Sequence, residues 1–263
     1  MPTIKVLETN VLHVSDVIIW LDGSSAEATT DMNRVPHPLH WQLSQRPGDL
    51  QWRHSAGKTA LWQRPAEPMI NGPADTADKT FSAGPGFTIS GVIEDPKQFF
   101  NPRLFSLTAG ASDVPVPGQP VPLYPSPLGT RFGSAGGLIA NLRFNATGDP
   151  VPWALLTLSV SVPGGTTQTY RAQADARGDV LIPLQRLPPL PEGIEHYNAQ
   201  LAVRALADAD PGEPVNPDDL EAVELESLTT PGSFVDPIGL QVVPGEIQLI
   251  RSASQDHLAV QPS

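Results

Sequence analysis

The sequence predicts an all-β protein, built as tandem antiparallel sandwiches of Ig-like or transthyretin-like type followed by a C-terminal extension with one short helix. Three observations predict it. Apolar and polar residues alternate with period two in segment after segment, as strands with one buried and one wet face require. Glycine-bearing turns separate those segments at short intervals. Thirty prolines and 22 glycines in 263 residues suit strand edges and ordered connections better than long helices.

The clearest strands lie between Gly136 and Leu206. Leu138, Ala140, Leu142 and Phe144 share one face, against Asn141, Arg143 and Asn145 on the other. Leu156, Leu158, Val160 and Val162 alternate with Thr157, Ser159 and Ser161. Val180, Ile182 and Leu184 repeat the pattern, as do Tyr197, Ala199, Leu201 and Val203 against Asn198, Gln200 and Arg204. Thr147-Gly148-Asp149-Pro150, Pro163-Gly164-Gly165 and Arg177-Gly178-Asp179 supply the turns. There glycine provides positive φ.

The first half reads as a β domain over residues 1–112. Val11–Leu21 predicts one or two buried strands. Shorter ones follow at His40–Leu43, Ala60–Gln63, Phe87–Ile93 and Arg103–Leu107, between turns at Asp22-Gly23, Pro47-Gly48-Asp49 and Gly84-Pro85-Gly86. Residues 113–130 carry prolines at 115, 117, 120, 122, 125 and 127. That spacing predicts a stiff, extended linker. The second sandwich is then 131–206, and 207–263 is an extension. Asn216 can cap a helix over 217–228, with Pro217 at its first position and Asp218 and Asp219 at the positive dipole end.

The pattern Gly137, Gly148-x-Pro150-Val151, Ala154, Asp175, Gly178 and Val180 resembles the carboxypeptidase regulatory-like, or transthyretin-like, β-sandwich family. It covers about a quarter of the chain. The resemblance implies a module without chemistry of its own, serving as spacer, interface or occasional sugar binder. Asp95-Pro96, Asn101-Pro102-Arg103 and Val121–Pro127 are similar to tail-associated proteins of phage-like contractile injection systems carrying the same module. This likeness implies a structural subunit at a baseplate, collar or cap, working through other subunits of the assembly and with copies of itself.

Composition excludes several alternatives. Sixteen basic against 28 acidic residues give a net charge of −12. No basic cluster is present to grip phosphates, so nucleic acid is not an expected partner. Without cysteine there is no disulfide framework or thiolate metal site, which fits assembly in a reducing cytosol. The N-terminus shows no signal-peptide pattern, and no apolar run suggests membrane insertion.

Chemical motifs are fragmentary, so no catalytic, cofactor or metal residue is expected. Gly57-Lys58-Thr59 resembles the end of a phosphate loop, yet Trp52 occupies the position of the first glycine. His37 and His40 are spaced for a shared zinc on a helix, which Pro36 and Pro38 forbid. Asp208-x-Asp210-x-Gly212 echoes a calcium loop but lacks the next acid. The five tryptophans, at 20, 41, 52, 62 and 153, read as core or interface fillers, with a sugar platform as the competing reading. That competitor would make the chain a carbohydrate-binding or adhesin module. If the sandwich is complete at residue 206, apolar residues beyond it need another surface. Leu220, Val223, Leu228, Leu240, Val242, Ile247 and Leu249 are the expected interface residues of such an assembly arm.

Overall fold

The computed structural model describes residues 16–25, 28–63, 86–110 and 118–262. Residues 11–15 of the expected first strand, Gly84 and Pro85 of one turn, and Pro115 and Pro117 of the linker lie outside them. The fold is all-β, and no helix reaches seven residues among the described residues.

The first unit uses β1 (Asp16–Asp22), β2 (Asn33–Arg34), β3 (His40–Gln45), β4 (Leu50–Ser55), β5 (Lys58–Gln63), β6 (Phe87–Glu94), β7 (Arg103–Ala109) and β8 (Gln119–Leu123). Strands β2, β1, β5 and β4 form one sheet, with β8 parallel to β1; β3, β6 and β7 form a second. Ile18, Trp20, Leu61, Val121 and Leu123 from the first sheet meet Trp41, Ile89, Ile93 and Phe105 from the second in one buried core. Trp20 is fully enclosed, and its ring stands edge-on to Phe105 at 5.7 Å. Trp41 stacks on the same Phe105 at 6.0 Å. These tryptophans fill volume. Gly91 lies opposite an irregularity in β3 at Leu43–Gln45. A Cβ there would sit 2.2 Å from the Gln42 carbonyl oxygen, so the close strand approach requires glycine.

The predicted linker contributes a strand instead of a spacer. In β8, Pro120 and Pro122 alternate with buried Val121 and Leu123. Since successive backbone groups point to opposite edges, both proline nitrogens face away from β1 and no ladder bond is lost. Beyond β8, Phe100 bridges Pro125, Asn101 N–H donates to Tyr124 O at 3.0 Å, and Ser126 N–H donates to Phe99 O at 2.8 Å. The segments around Phe99–Asn101 and Tyr124–Ser126 thus lie side by side.

The second unit contains β9 (Gly137–Phe144), β10 (Leu155–Val162), β11 (Thr166–Gln173), β12 (Asp179–Pro183), β13 (Tyr197–Ala205), a 3-10 turn (Pro217–Asp219), β14 (Glu221–Glu226), β15 (Phe234–Val235), β16 (Ile238–Val242), β17 (Ile247–Ile250) and β18 (Leu258–Pro262). The alternating strands β9, β10, β12 and β13 turn their apolar faces inward as expected. The quoted motif residues have local jobs. Asp175 Oδ1 accepts N–H bonds from Arg177 and Asp179, at 2.8 and 3.1 Å. Gly178 holds φ +79, and a Cβ on it would lie 2.4 Å from Leu142 O.

The C-terminal extension corrects two expectations. The helix over 217–228 is a single 3-10 turn, capped by Asn216 as predicted, followed by strand β14. Nor is residue 206 the end of the sandwich. One edge of β13 takes β14 along Val203–Ala205 and β16 along Tyr197–Leu201. One edge of β9 takes β17 along Gly137–Ala140 and β18 along Leu142–Phe144, both parallel. Strand β18 also pairs with β14, joining the two halves. Val223, Leu225, Ile238, Val242, Leu258 and Val260 enter the same core as Leu142 and Leu158.

Deleting residues 230–263 should therefore remove core, not an arm. At roughly 1.5–3 kcal/mol per buried aliphatic side chain, losing Ile238, Val242, Leu258 and Val260 removes an amount comparable to the whole stability of an ordinary domain. The truncated chain is expected to show no cooperative melt of its second half by near-ultraviolet circular dichroism. A melt within about 5 °C of the full chain would contradict the fold described.

Candidate functional site

The expected interface residues divide sharply. Leu220, Val223 and Val242 are buried within the chain, and Leu228 and Leu240 pack against its core from partly buried positions. Only Ile247 and Leu249 project into solvent, at 57% and 58% exposure. Both belong to β17, whose alternation turns Ile250 inward and these two outward. In register, Leu249 lies beside Ile139 of β9, which lies beside Leu181 of β12; Ile247 lies beside Gly137 and then Pro183. A Cβ on Gly137 would fall 2.2 Å from the Phe132 ring, so that ring covers the glycine. The outer face of β12–β9–β17 is therefore an apolar strip ending at an edge strand.

Strand β17 pairs only with β9 among the described residues. It contains no proline or lysine that would discourage pairing, and Glu246 and Arg251 flank it. Between the two outward side chains, the Gln248 side-chain oxygen is buried without a hydrogen-bond partner. A second apolar concavity of about 520 Å³ lies where Phe144, Pro150, Ala209, Pro211 and Val260 meet.

The joint between the units is polar at its centre. Arg103, at the start of β7, has a side chain only 3% exposed. Its guanidinium donates to Pro122 O at 2.5 Å, to Asn216 Oδ1 at 2.9 Å, and to the Asp218 carboxylate. Asn101 Nδ2 donates to Gln173 O and Ala174 O, at 2.8 and 3.0 Å. Around them Tyr124, Trp153, Leu155, Val215 and Leu220 form a small buried cluster. Leu220 therefore serves an interface within the chain.

The histidines have separate structural partners. His37 is buried and bonds Asp95 Oδ1 through Nε2 at 2.7 Å. The same carboxylate accepts the N–H groups of Lys97, Phe99 and Phe100, fixing that turn. Asp95 lies 58 residues away, so no local pattern signals the pairing. His40 is exposed and lies 3.7 Å from Glu94. Among the described residues no three His, Asp or Glu side chains converge as a metal site, and no helix is long and apolar enough to cross a membrane. Lys58 and Thr59 follow a hairpin turn, with Thr59 fully buried. Asp210 Oδ1 accepts Gly212 N–H at 2.7 Å, closing its loop on itself.

The chain matches no protein-family model, and no match was found among curated proteins or solved structures.

Two of these side chains yield measurable consequences. Thr59 Oγ1 accepts the Trp20 indole N–H at 2.9 Å and contacts His54 Nδ1 at 2.8 Å. The hydroxyl oxygen has two lone pairs, so it can accept from Trp20 and still either donate to or accept from His54. Burial, then the charge of His40, holds its pKa below 6.5. A lowered folded pKa means that the unfolded chain takes up the proton first. Stability should be constant above about pH 7.5 and fall as pH drops through the unfolded value, levelling once His54 itself is protonated. His54→Asn should flatten the thermal-melt profile between about pH 7.5 and 5.5; an unchanged slope refutes the assignment. Arg103→Met should cost roughly 2–3 kcal/mol in denaturant melts, because it removes charge-assisted bonds from a buried joint. Asp218→Asn should cost about 1 kcal/mol or less, since its carboxylate is 65% exposed and well screened.

Proposed function

We propose that the chain is a non-enzymatic structural component of a multi-subunit assembly, acting through protein–protein contacts. The observation that carries this reading is the apolar outer face of β12–β9–β17, with Ile247 and Leu249 exposed on an edge strand. Such an edge presents unpaired backbone groups beside apolar side chains. Pairing with a neighbouring subunit satisfies the first and removes the second from water. The hydrogen-bonded joint supports the reading, because a structural subunit transmits position from one end to the other.

The kind of assembly proposed is a phage-tail-like contractile injection particle, with the chain at a baseplate, collar or cap; the support is the sequence likeness of two segments alone. Such a subunit is made and assembled in the cytosol before it becomes part of the particle. The segments bearing the likeness, Asp95–Arg103 and Val121–Pro127, meet at the joint and orient one unit against the other.

The double substitution Ile247→Lys, Leu249→Lys tests this. Both side chains face solvent, so the melting temperature should move by no more than about 3 °C. Incorporation into particles, followed in a strain producing the assembly, should fall at least about tenfold, since two apolar anchors become charges. Normal incorporation of the folded variant would refute the contact role of this face.

A further inference from the structure

A cleft between the two units gathers positive charge; it meets the β12 end of the apolar strip at Pro183, while Ile247 and Leu249 lie outside it. Arg131, Arg171 and Arg186 line it, against a single acid, Asp22. This stands out in a chain with net charge −12, because the surrounding field disfavours anions elsewhere. The acid is engaged already, its Oδ1 accepting Ser24 N–H at 3.0 Å. Arg131 spends Nη1 on the Leu128 and Thr130 carbonyls, at 3.0 and 2.8 Å. That leaves Nε–H and the two Nη2 hydrogens of its five donors beyond these two bonds.

Arg186 is placed at a conformational cost. It occupies φ +64 at the corner closed by Leu187 N–H donating to Leu184 O at 3.2 Å. Glycine is the ordinary residue there, and a long side chain costs about 1–2 kcal/mol. A guanidinium at that corner reaches over the cleft. Below it, Tyr170 donates its hydroxyl to Gln168 Oε1 at 2.6 Å, and burial pushes its pKa up to about 12, so it adds no negative charge.

The cleft is also preformed and mixed in character. Arg171 N–H donates to Ser24 O at 2.7 Å and Gln173 N–H to Pro125 O at 3.3 Å, locking the walls together. Phe99 is 48% exposed within it, its backbone held by Asp95 and its ring 5.9 Å from that of His37. Asn33 and Gln185 add amide groups, and the cavity volume is about 450 Å³. That size suits a ligand of one ring, not a folded partner.

We propose that this cleft binds an acidic monosaccharide, a hydroxylated ring bearing a carboxylate. The carboxylate is taken by Arg131 and Arg186 through charge-assisted bonds. Phe99 covers the apolar face of the ring, and the amides of Asn33 and Gln185 serve the hydroxyls. The site does not use Ile247 or Leu249, so its test is separate from that of the assembly role.

Calorimetry on the full chain at low salt, with sodium glucuronate as the probe, tests this. Glucuronate should bind with a dissociation constant of about 1 mM or below, and glucose at least about tenfold more weakly. Arg131→Gln with Arg186→Gln should weaken glucuronate at least about tenfold while the melt stays unchanged, because both side chains are exposed. Phe99→Ala should weaken glucuronate but leave any inorganic phosphate binding as it was. Equal affinity for glucuronate and glucose overturns the proposal, as does full affinity in the arginine variant. Inorganic phosphate binding as tightly as glucuronate overturns the assignment to a sugar.

Discussion

A buried guanidinium needs acceptors for its charge, and Arg103 finds them through both Nη groups while its buried Nε has none. Its acceptors come from two distant segments: a carbonyl of β8, and Asn216 with Asp218 of the 3-10 turn. Strand β8 can present the Pro122 carbonyl because its proline positions face away from β1. The 3-10 turn lies where it does because β14 starts two residues later and is fixed on β13. One cation therefore ties the edge of the first sheet to the entry of the C-terminal strands. The apolar cluster of Trp153, Leu155, Val215 and Leu220 shields it, which strengthens each of its bonds and raises the cost of losing one.

The same logic governs the second unit. Strands β9 and β13 each leave an edge that would otherwise stand open, and the extension divides its strands between them. Because β14 and β16 share one edge and β17 and β18 the other, the chain crosses the gap between β16 and β17, and β14–β18 pairing closes it at one end. At the other end β16 and β17 stay on separate edges. Among the described residues the outer sides of β16 and β17 both remain unpaired.

How much could be read in advance depends on the range of the interactions. Strands β9, β10, β12 and β13 were legible because alternation and turn glycines are local signals, and Asn216 was legible as a cap for the same reason. The helix after it was not. Leu220, Val223 and Leu228 suggest a stripe, but Val223 and Leu225 also fit period two, and the vacant edge of β13 decides for strand. Strand β8 was hidden by prolines whose harmlessness depends on which edge faces β1. Asp95 could not be matched to His37 because 58 residues intervene. Of the seven expected interface residues, three are enclosed and two half-covered by strands that sequence placed outside the sandwich. Ile247 and Leu249 differ only in facing away from the core.

That difference gives the exposed pair its meaning. Single exposed apolar residues are ordinary, and Leu128 and Ile194 are of that kind. Two on one four-residue strand, continued across the sheet by Ile139 and Leu181, are not scattered. They extend an apolar face up to a backbone edge. A sheet that needed only solubility would place charge on such a strand, as Glu246 and Arg251 do immediately beyond its ends. The charges bracket the apolar pair without interrupting it, which favours a partner strand of defined length over indiscriminate stacking. Register would be set by where Ile247 and Leu249 meet apolar positions, since a one-residue slip sends those positions to the opposite face.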